Sequence, residues 1–366
     1  MKFNIGRETL LKPLQMVNGV VEKRQTMPIL SNILLSATPE SLTMTGTDLE
    51  VEMITRTHLD NADAGEVTLP ARKFSDICRA LPDDAIIEVE VNGDRAIIRS
   101  GKSRFTLSTL PVVEFPNVEE INNPFTFTIA QSHMKGLIDK TSFAMAQQDV
   151  RYYLNGMLLE MADHTIRAVA TDGHRLSLSE VGTEHNPEEM IQVIVPRKAV
   201  MELSRLLEDS DELVEIQVGT NHIKFSLNDV TFTSKLIDGK FPDYERVFPK
   251  NSDKQVVANR LILSQALART SILSNEKYRG IRLQLSPGIL HTMAHNPEQE
   301  EAEEEVEVNY QGVELEVGFN ANYMLDALNA VATEDVKVWL SDPNSSCLIH
   351  GLDDEQSKYV IMPMRL

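Results

Sequence analysis

Cysteine is nearly missing from this chain of 366 residues: it holds two, Cys78 and Cys347, far apart in sequence and with no CxxC spacing. A disulfide-framework domain and a zinc ribbon are thereby excluded, and a reducing compartment fits. Long apolar runs are missing too, since none approaches the roughly 18 residues that a membrane span needs. The opening Met-Lys-Phe-Asn-Ile-Gly-Arg has no apolar h-region, so no signal peptide is expected. Positive charge is scarce, with 35 Lys+Arg against 55 Asp+Glu and a net charge of −20. Taken whole, that balance argues against nucleic acid as a partner. What is present suits a globular protein. Hydrophobic residues make up 42% and charged residues 25%, which excludes disorder as a description of the whole chain. The length predicts two or three domains.

Internal repeats decide the fold class. At a fixed offset of 126, Pro70/Pro196, Arg79/Arg205, Leu81/Leu207, Gly93/Gly219, Ser108/Ser234, Leu110/Leu236, Phe115/Phe241 and Pro116/Pro242 are identical. At an offset of 124, Phe3/Phe127, Ile5/Ile129, Leu30/Leu154, Leu34/Leu158, Leu35/Leu159, Thr47/Thr171 and Asp48/Asp172 match, and Gly156/Gly280, Leu159/Leu283 and Ala170/Ala294 continue the series. Three copies of a long unit follow, with borders near residues 122 and 253 in polar stretches. The expected domains are 1–122, 123–253 and 254–366. So long a period excludes solenoid repeats, whose units run about 20–50 residues.

Apolar positions at 3.6 spacing predict six helices, over 7–20, 70–80, 131–142, 196–208, 261–273 and 320–330. Alternating runs follow them. Ile87, Val89 and Val91 lead into an Asn92-Gly93 hairpin turn, and Val214, Ile216, Val218 and Val336, Val338, Leu340 repeat the pattern. Each unit reads as two halves, each with one helix layer and one antiparallel sheet layer, so the class is α+β. Counted by segment, the helices carry a net charge of +5 and the remainder −25. An ordinary mixed solvated face on each helix is one explanation. A helix layer that faces a polyanion, with an acidic exterior that repels it elsewhere, is the other and the favoured one.

Several strings then become informative together: Thr171-Asp172-Gly173-His174-Arg175-Leu176, Phe241-Pro242-Asp243-Tyr244, Ser274-Asn275-Glu276-Lys277, Asn296-Pro297-Glu298-Gln299-Glu300-Glu301-Ala302-Glu303-Glu304 and Met362-Pro363-Met364-Arg365-Leu366. They closely resemble the bacterial DNA sliding clamps, the beta subunits of the DNA polymerase III holoenzyme, and the resemblance runs the length of the chain. It implies the DNA clamp fold, with three domains per chain, helices lining the inside of a ring, sheets outside, and a head-to-tail homodimer. It implies a non-catalytic processivity factor that encircles duplex DNA without sequence specificity and needs no cofactor or metal. Its partners would be the polymerase alpha subunit, the clamp loader, other polymerases and repair proteins, docked through short peptides. Its location would be the cytoplasm, at the nucleoid, with no membrane partner. A protein-interaction scaffold of the same fold that does not encircle DNA is the alternative.

Carried over position by position, the resemblance implies DNA contacts at Arg24, Gln148, Arg151, Tyr152, Tyr153, Arg197 and Lys198. For Tyr152 and Tyr153, strand packing is the competing explanation. It implies a partner-peptide pocket of Leu154, Thr171, Gly173, His174, Arg175, Leu176, Pro242, Arg246, Val247, Asn320, Tyr323, Val360, Met362, Pro363, Met364 and Arg365. Met and aliphatic walls accept varied apolar side chains, although on residue type alone a buried last strand is the better explanation of Met362 and Met364. It implies a ring interface of Lys73, Arg104, Phe105 and Leu107 against Ile272, Leu273, Glu300, Glu301, Glu303 and Glu304. The chain departs from the enterobacterial members at surface positions such as Gln25 and Gln147-Gln148.

Two further motifs carry little. Asp172 and His174 invite a catalytic or metal reading, but no third ligand has a suggestive spacing. Gly101-Lys102-Ser103 imitates the end of a phosphate-binding loop, yet Ala96 stands where the motif needs glycine and no helix is expected to follow.

Overall fold

The computed structural model describes residues 1–22, 27–116, 121–122, 124–250 and 252–365. Among them are 24 strands and six α-helices, α1 (Arg7–Val20), α2 (Ala71–Ala80), α3 (Gln131–Asp139), α4 (Arg197–Leu206), α5 (Arg260–Thr270) and α6 (Ala321–Ala330). One element order occurs three times: a strand, a helix, four strands, a helix and three strands. The three copies span 2–108, 125–235 and 254–361.

Amphipathic spacing makes the helices. Leu10, Leu14 and Val17 of α1 and Met324, Ala327 and Leu328 of α6 are buried at the intervals that put them on one face. The Leu, Val and Met side chains among them each contribute about 1.5–3 kcal/mol on burial. Asn259 caps α5 by accepting from Leu261 N and Ile262 N, and Asn320 caps α6 by accepting from Tyr323 N. Three helices are shorter than the sequence predicts. α3 stops at Asp139, before a 3₁₀ turn at Ser142–Ala144. α4 stops at Leu206, and α5 gives way at Thr270 to a 3₁₀ turn, Ser271–Leu273. Gly46 lies where a Cβ would come within 2.7 Å of Val17 Cγ1, so glycine lets α1 settle close on its sheet.

The sheets are antiparallel throughout, and the chain divides into two compact units. The first holds residues 1–132 and 201–236. It contains a four-stranded sheet in the order Lys2–Gly6, Ile86–Asn92, Arg95–Ser100, Ser103–Ser108. It also contains an eight-stranded sheet in the order Gly65–Pro70, Asn32–Ala37, Ser41–Thr47, Val51–His58, Val230–Lys235, His222–Leu227, Leu213–Val218, Phe125–Ala130. The second unit holds residues 133–200 and 237–366. Its eight-stranded sheet runs Ile191–Pro196, Gly156–Ala162, Thr165–Thr171, Arg175–Gly182, Asp354–Ile361, Cys347–Gly351, Asp335–Leu340, Lys254–Asn259. Its four-stranded sheet runs Glu301–Glu307, Ile289–His295, Gly280–Ser286, Leu315–Asn320. Each eight-stranded sheet is two half-sheets from successive repeats, joined along a seam.

Strand pairing corrects one part of the repeat alignment. Val89 and Ile216 stand opposite Phe3 and Phe127, so the matching residues in this stretch are 127 apart rather than 126. The identity of Gly93 with Gly219 is therefore not one of position: Gly93 turns its hairpin at φ 59°, and Gly219 is not left-handed. Gly101-Lys102 is the two-residue turn between Arg95–Ser100 and Ser103–Ser108, so no phosphate-binding loop is formed there.

Candidate partner pocket and sheet edges

In the second unit, hairpin turn 171–175 organises a small apolar cavity. Thr171 Oγ1 donates to Arg175 O at 2.6 Å and accepts from Gly173 N at 3.1 Å. Asp172 Oδ1 accepts from His174 N at 2.9 Å and Arg175 N at 3.1 Å, which gives its carboxylate a turn-forming role. Gly173 sits at φ 88°, with the Arg151 guanidinium 3.0 Å from where a Cβ would lie. Glycine meets both conditions without strain, whereas Leu49 holds the same turn position in the first repeat at φ 78°.

The cavity, about 180 Å³, is lined by Arg151, Tyr153, Leu154, Thr171, Gly173, Arg175, Leu176, Pro242, Tyr244, Val247, Val360 and Met362. Nine of these are expected from the sequence; Tyr244 is not, and Arg151 and Tyr153 are expected as DNA contacts. The signal for Tyr244 was in the string Phe241-Pro242-Asp243-Tyr244, one turn from Pro242. Met362 is fixed by its N–H, which donates to His174 O at 2.9 Å.

The other expected pocket residues stand around the cavity without lining it. Arg246 is exposed and pairs with Asp243 at 2.6 Å. Asn320 caps α6 and donates to Tyr278 O. His174 stacks on Tyr323 with ring centroids 6.5 Å apart, and both border a second cavity with Phe143, Gln147, Asp149 and Arg197. Pro363 leads the chain away, and Met364 N donates to Gly318 O at 2.7 Å. Met364 and Arg365 line a separate cavity in which Met293 and Ala294 stand beside Tyr278, Arg282, His295, Glu301 and Glu303. Arg175 ties the pocket rim to α6. Its guanidinium lies 4.4 Å from the Tyr323 ring centroid and donates to Asp326 at 2.5 Å and to Phe143 O at 2.6 Å.

Of the expected DNA contacts, Arg24 lies outside the described residues. Gln148, Arg151, Tyr152 and Tyr153 share one short segment, and its neighbour is Arg197 at the start of α4, whose Nη1 donates to Met145 O and whose N–H donates to Asn155 O. Lys198 follows on the same helix. Tyr152 is 58% exposed, while Tyr153 packs on the apolar cluster of Leu158 and Leu176. The two occupy a 3₁₀ turn, Tyr152–Leu154, rather than a strand. The side-chain and backbone hydrogen bonds of Arg151 hold the Asp149 carboxyl down at about 2.

The expected ring-interface residues fall on two sheet edges, one in each unit. Arg104, Phe105 and Leu107 lie on Ser103–Ser108, and Lys73 lies on α2. Glu301, Glu303 and Glu304 lie on Glu301–Glu307, Glu300 immediately precedes it, and Ile272 and Leu273 form the turn after α5. Ile272 is 71% exposed. Glu304 is held by Arg269 of its own chain. Among the described residues, no strand pairs with the outer side of either edge strand.

A thrice-repeated unit of two helices and eight strands, seamed edge to edge, defines a protein of the three-domain DNA clamp class. Family models of the DNA polymerase III beta subunit match in succession: the N-terminal domain over residues 1–119, the central domain over 128–243 and the C-terminal domain over 245–365. The chain is 58% identical to the beta sliding clamp of Pseudomonas aeruginosa and 56% identical to that of Pseudomonas putida, in each case over all of both chains. A crystal structure of the DNA polymerase III subunit beta from Pseudomonas aeruginosa, 57% identical, superimposes with a TM-score of 0.97 over all of both chains. The chain belongs to the DNA polymerase III beta subunit family, the beta sliding clamps, and its function is that of a DNA polymerase processivity clamp.

Proposed function

We propose that two copies of the chain close head to tail into a ring around duplex DNA and tether a polymerase there. The observation that carries this is the register of the seams. At the first seam Phe232 stands opposite Met53, and at the second Tyr359 stands opposite Ser177. Following the cross-strand pairs, Phe105 has the place of Phe232 and Tyr359, because Ile98, Phe225 and Ile349 pair with them in turn. Ala302 has the place of Met53 and Ser177, opposite Ala294, Gly46 and Ala170 respectively. A third seam in the same register sets Phe105 of one copy opposite Ala302 of the other and Arg104 opposite Glu303. It completes an eight-stranded sheet like the other two. Such a heterologous contact closes into a ring when the rotation permits, and the pairing satisfies edge groups that would otherwise invite aggregation.

Each chain then supplies three domains, with borders near residues 122 and 253. Arg197, Lys198 and the segment around Gln148 offer weak contacts to phosphates, which carry no sequence information. The apolar cavity receives short peptides of the polymerase alpha subunit, the clamp loader and other polymerases and repair proteins. The chain acts in the cytoplasm, at the nucleoid, as a non-catalytic subunit without a cofactor.

Topology gives the test. Binders that rely on phosphate contacts lose affinity with a slope of about −0.9 per neutralised phosphate as salt rises. A loaded ring leaves only by opening or by running off an end. The expected result is salt-resistant retention on nicked circles and rapid loss after linearisation. Equal salt sensitivity on both forms refutes encirclement and favours the scaffold.

A further inference from the structure

One face of the half-sheet that begins at Gly156–Ala162 carries a row of polar residues paired strand to strand: Gln192 opposite Glu160, Glu160 opposite Arg167 and Arg167 opposite Glu180. Glu160 is only 5% exposed, and both its oxygens are committed. Oε1 accepts from Tyr244 Oη at 2.9 Å and Arg167 Nη1 at 3.0 Å, and Oε2 accepts from Gln192 Nε2 at 2.6 Å. The Tyr244 hydroxyl also accepts from Arg167 Nη1 at 2.9 Å, so it both donates and accepts. Arg167 Nε donates to Glu180 at 2.9 Å. Burial pushes the Tyr244 phenol up to about 12, which keeps it a donor at neutral pH.

The other repeats lack this arrangement. In the places of Glu160 and Arg167 they have Ser36 opposite Thr43 and Gln284 opposite His291. The network therefore belongs to the repeat whose following segment walls the apolar cavity. A buried ion pair seldom stabilises a fold more than apolar residues of the same volume, and its best-attested use is to select one arrangement among several. Here the thing selected is the seat of Tyr244, which opens the turn Tyr244–Val247. Pro242, Tyr244 and Val247 are three of the cavity's lining residues, whereas Glu160 and Arg167 line none of it.

We infer that Glu160 and Arg167 are positioning residues for the partner-peptide pocket: through the Tyr244 hydroxyl they hold residues 242–247 in the arrangement that an incoming peptide meets. The inference rests on the pocket reading given above. Without the network, the wall samples other seats, and apparent affinity falls by the fraction of time the competent seat is occupied. That loss appears in the association rate, because the peptide, once bound, meets unchanged apolar contacts.

The test uses the full-length protein with Tyr244→Phe, which keeps the ring and removes only the hydroxyl, and Glu160→Gln, which keeps the shape. The probe is a fluorescein-labelled Gln-Ala-Ala-Leu-Phe peptide, of the Gln-x-x-Leu-Phe kind that the resemblance to sliding clamps implies as their partner sequence. Both variants are expected to bind it roughly three- to tenfold more weakly through slower association. Amide hydrogen exchange should quicken at residues 242–248 and stay slow in strands 156–162 and 165–171. Unchanged exchange at 242–248 overturns the inference, and so does localised exchange with full affinity. Exchange that quickens equally across the whole half-sheet overturns it too, because the network then serves the fold. Met362→Ala runs in parallel as a direct-contact control. If it leaves binding undiminished, the pocket reading has failed, and exchange at 242–248 still decides whether the network holds that segment.

Discussion

Cysteines at positions 104 and 303 test the proposed seam to the residue. If it repeats the register of the two seams within the chain, Arg104 of one copy faces Glu303 of the other. Opposed Cα atoms in an antiparallel pair lie about 4.5–5.5 Å apart, within the roughly 4.4–6.8 Å that a disulfide spans. A slip of two residues moves the partner by about 7 Å along the strand, out of range. The chain with Arg104→Cys and Glu303→Cys should therefore close covalently on mild oxidation, giving a species of twice the 41.1 kDa chain mass on a non-reducing gel. The chain with Arg104→Cys and Glu301→Cys should stay at the single-chain mass. The ion pair lost in making the variant is worth about 1 kcal/mol or less, so the dimer survives the substitutions. The native thiols do not interfere, because burial pushes Cys78 and Cys347 up to about 12. A stronger cross-link between 104 and 301 refutes the register, and no cross-link in either chain refutes the pairing of these two edges.

Ile272→Ala with Leu273→Ala should yield folded monomers. Each truncation costs about 2–5 kcal/mol where the side chain is buried by the partner, and a ring contains the contact twice. A dimer unchanged in sedimentation at low micromolar concentration would show that the seam does not use this turn. Deletion of residues 362–366 removes Met362 from the pocket, with its bond to His174 O, and should lower peptide affinity by at least about 2 kcal/mol while the dimer mass persists. Undiminished binding moves the pocket elsewhere. The buried thiols also set an alkaline limit. Their folded values lie above the ordinary 9.0, so their contribution to stability is complete below about pH 9 and is lost as pH rises towards about 12. Melting temperatures should fall from pH 9 upwards, and Ellman's reagent should find no thiol at pH 8 until denaturant is added.

The helices were legible because burial follows a simple period: Leu10, Leu14 and Val17, or Met324, Ala327 and Leu328, announce a face by spacing alone. Their ends were less so, since the 3₁₀ turns after α3 and α5 keep the apolar spacing while abandoning the helix. Identity at a fixed offset found the repeats, yet it misplaced Gly93 against Gly219, because glycine earns its position from φ and not from sequence number. The seams were invisible, as strands paired across them, such as Val51–His58 with Val230–Lys235, lie far apart in the chain. Of the residues the resemblance names for the pocket, nine line one cavity, while Arg246 and Asn320 stand apart from it, their side chains engaged with Asp243 and with the start of α6.

The three repeats set different residues opposite the turn, and among the described residues the second alone places an apolar side chain there. In the second repeat Thr171 stands opposite Leu176, and Leu176 joins the cluster of Leu158, Val169 and Val360. In the first repeat the same pair is Thr47 opposite Glu52, and in the third it is His295 opposite Glu301. The chain leaves its last strand alike in the second and third repeats, while in the first the corresponding Leu110 N donates instead to the Thr68 hydroxyl at 3.0 Å. Ile237 N donates to Ile194 O at 2.9 Å, and Met364 N donates to Gly318 O at 2.7 Å. The second and third repeats each hold a cavity beside this turn, and the side chain opposite the turn bears on what that cavity accepts. A carboxylate there must be desolvated or paired before an apolar anchor can enter, which costs more than the anchor returns. The cavity beside Glu301 and Glu303, about 440 Å³, sets charged side chains among its apolar ones, while the one over Leu176, about 180 Å³, is the more apolar. On the proposed reading, a peptide carrying a leucine and a phenylalanine is thereby directed to the second repeat's cavity, and the proposed ring of two chains would hold two such partners at once.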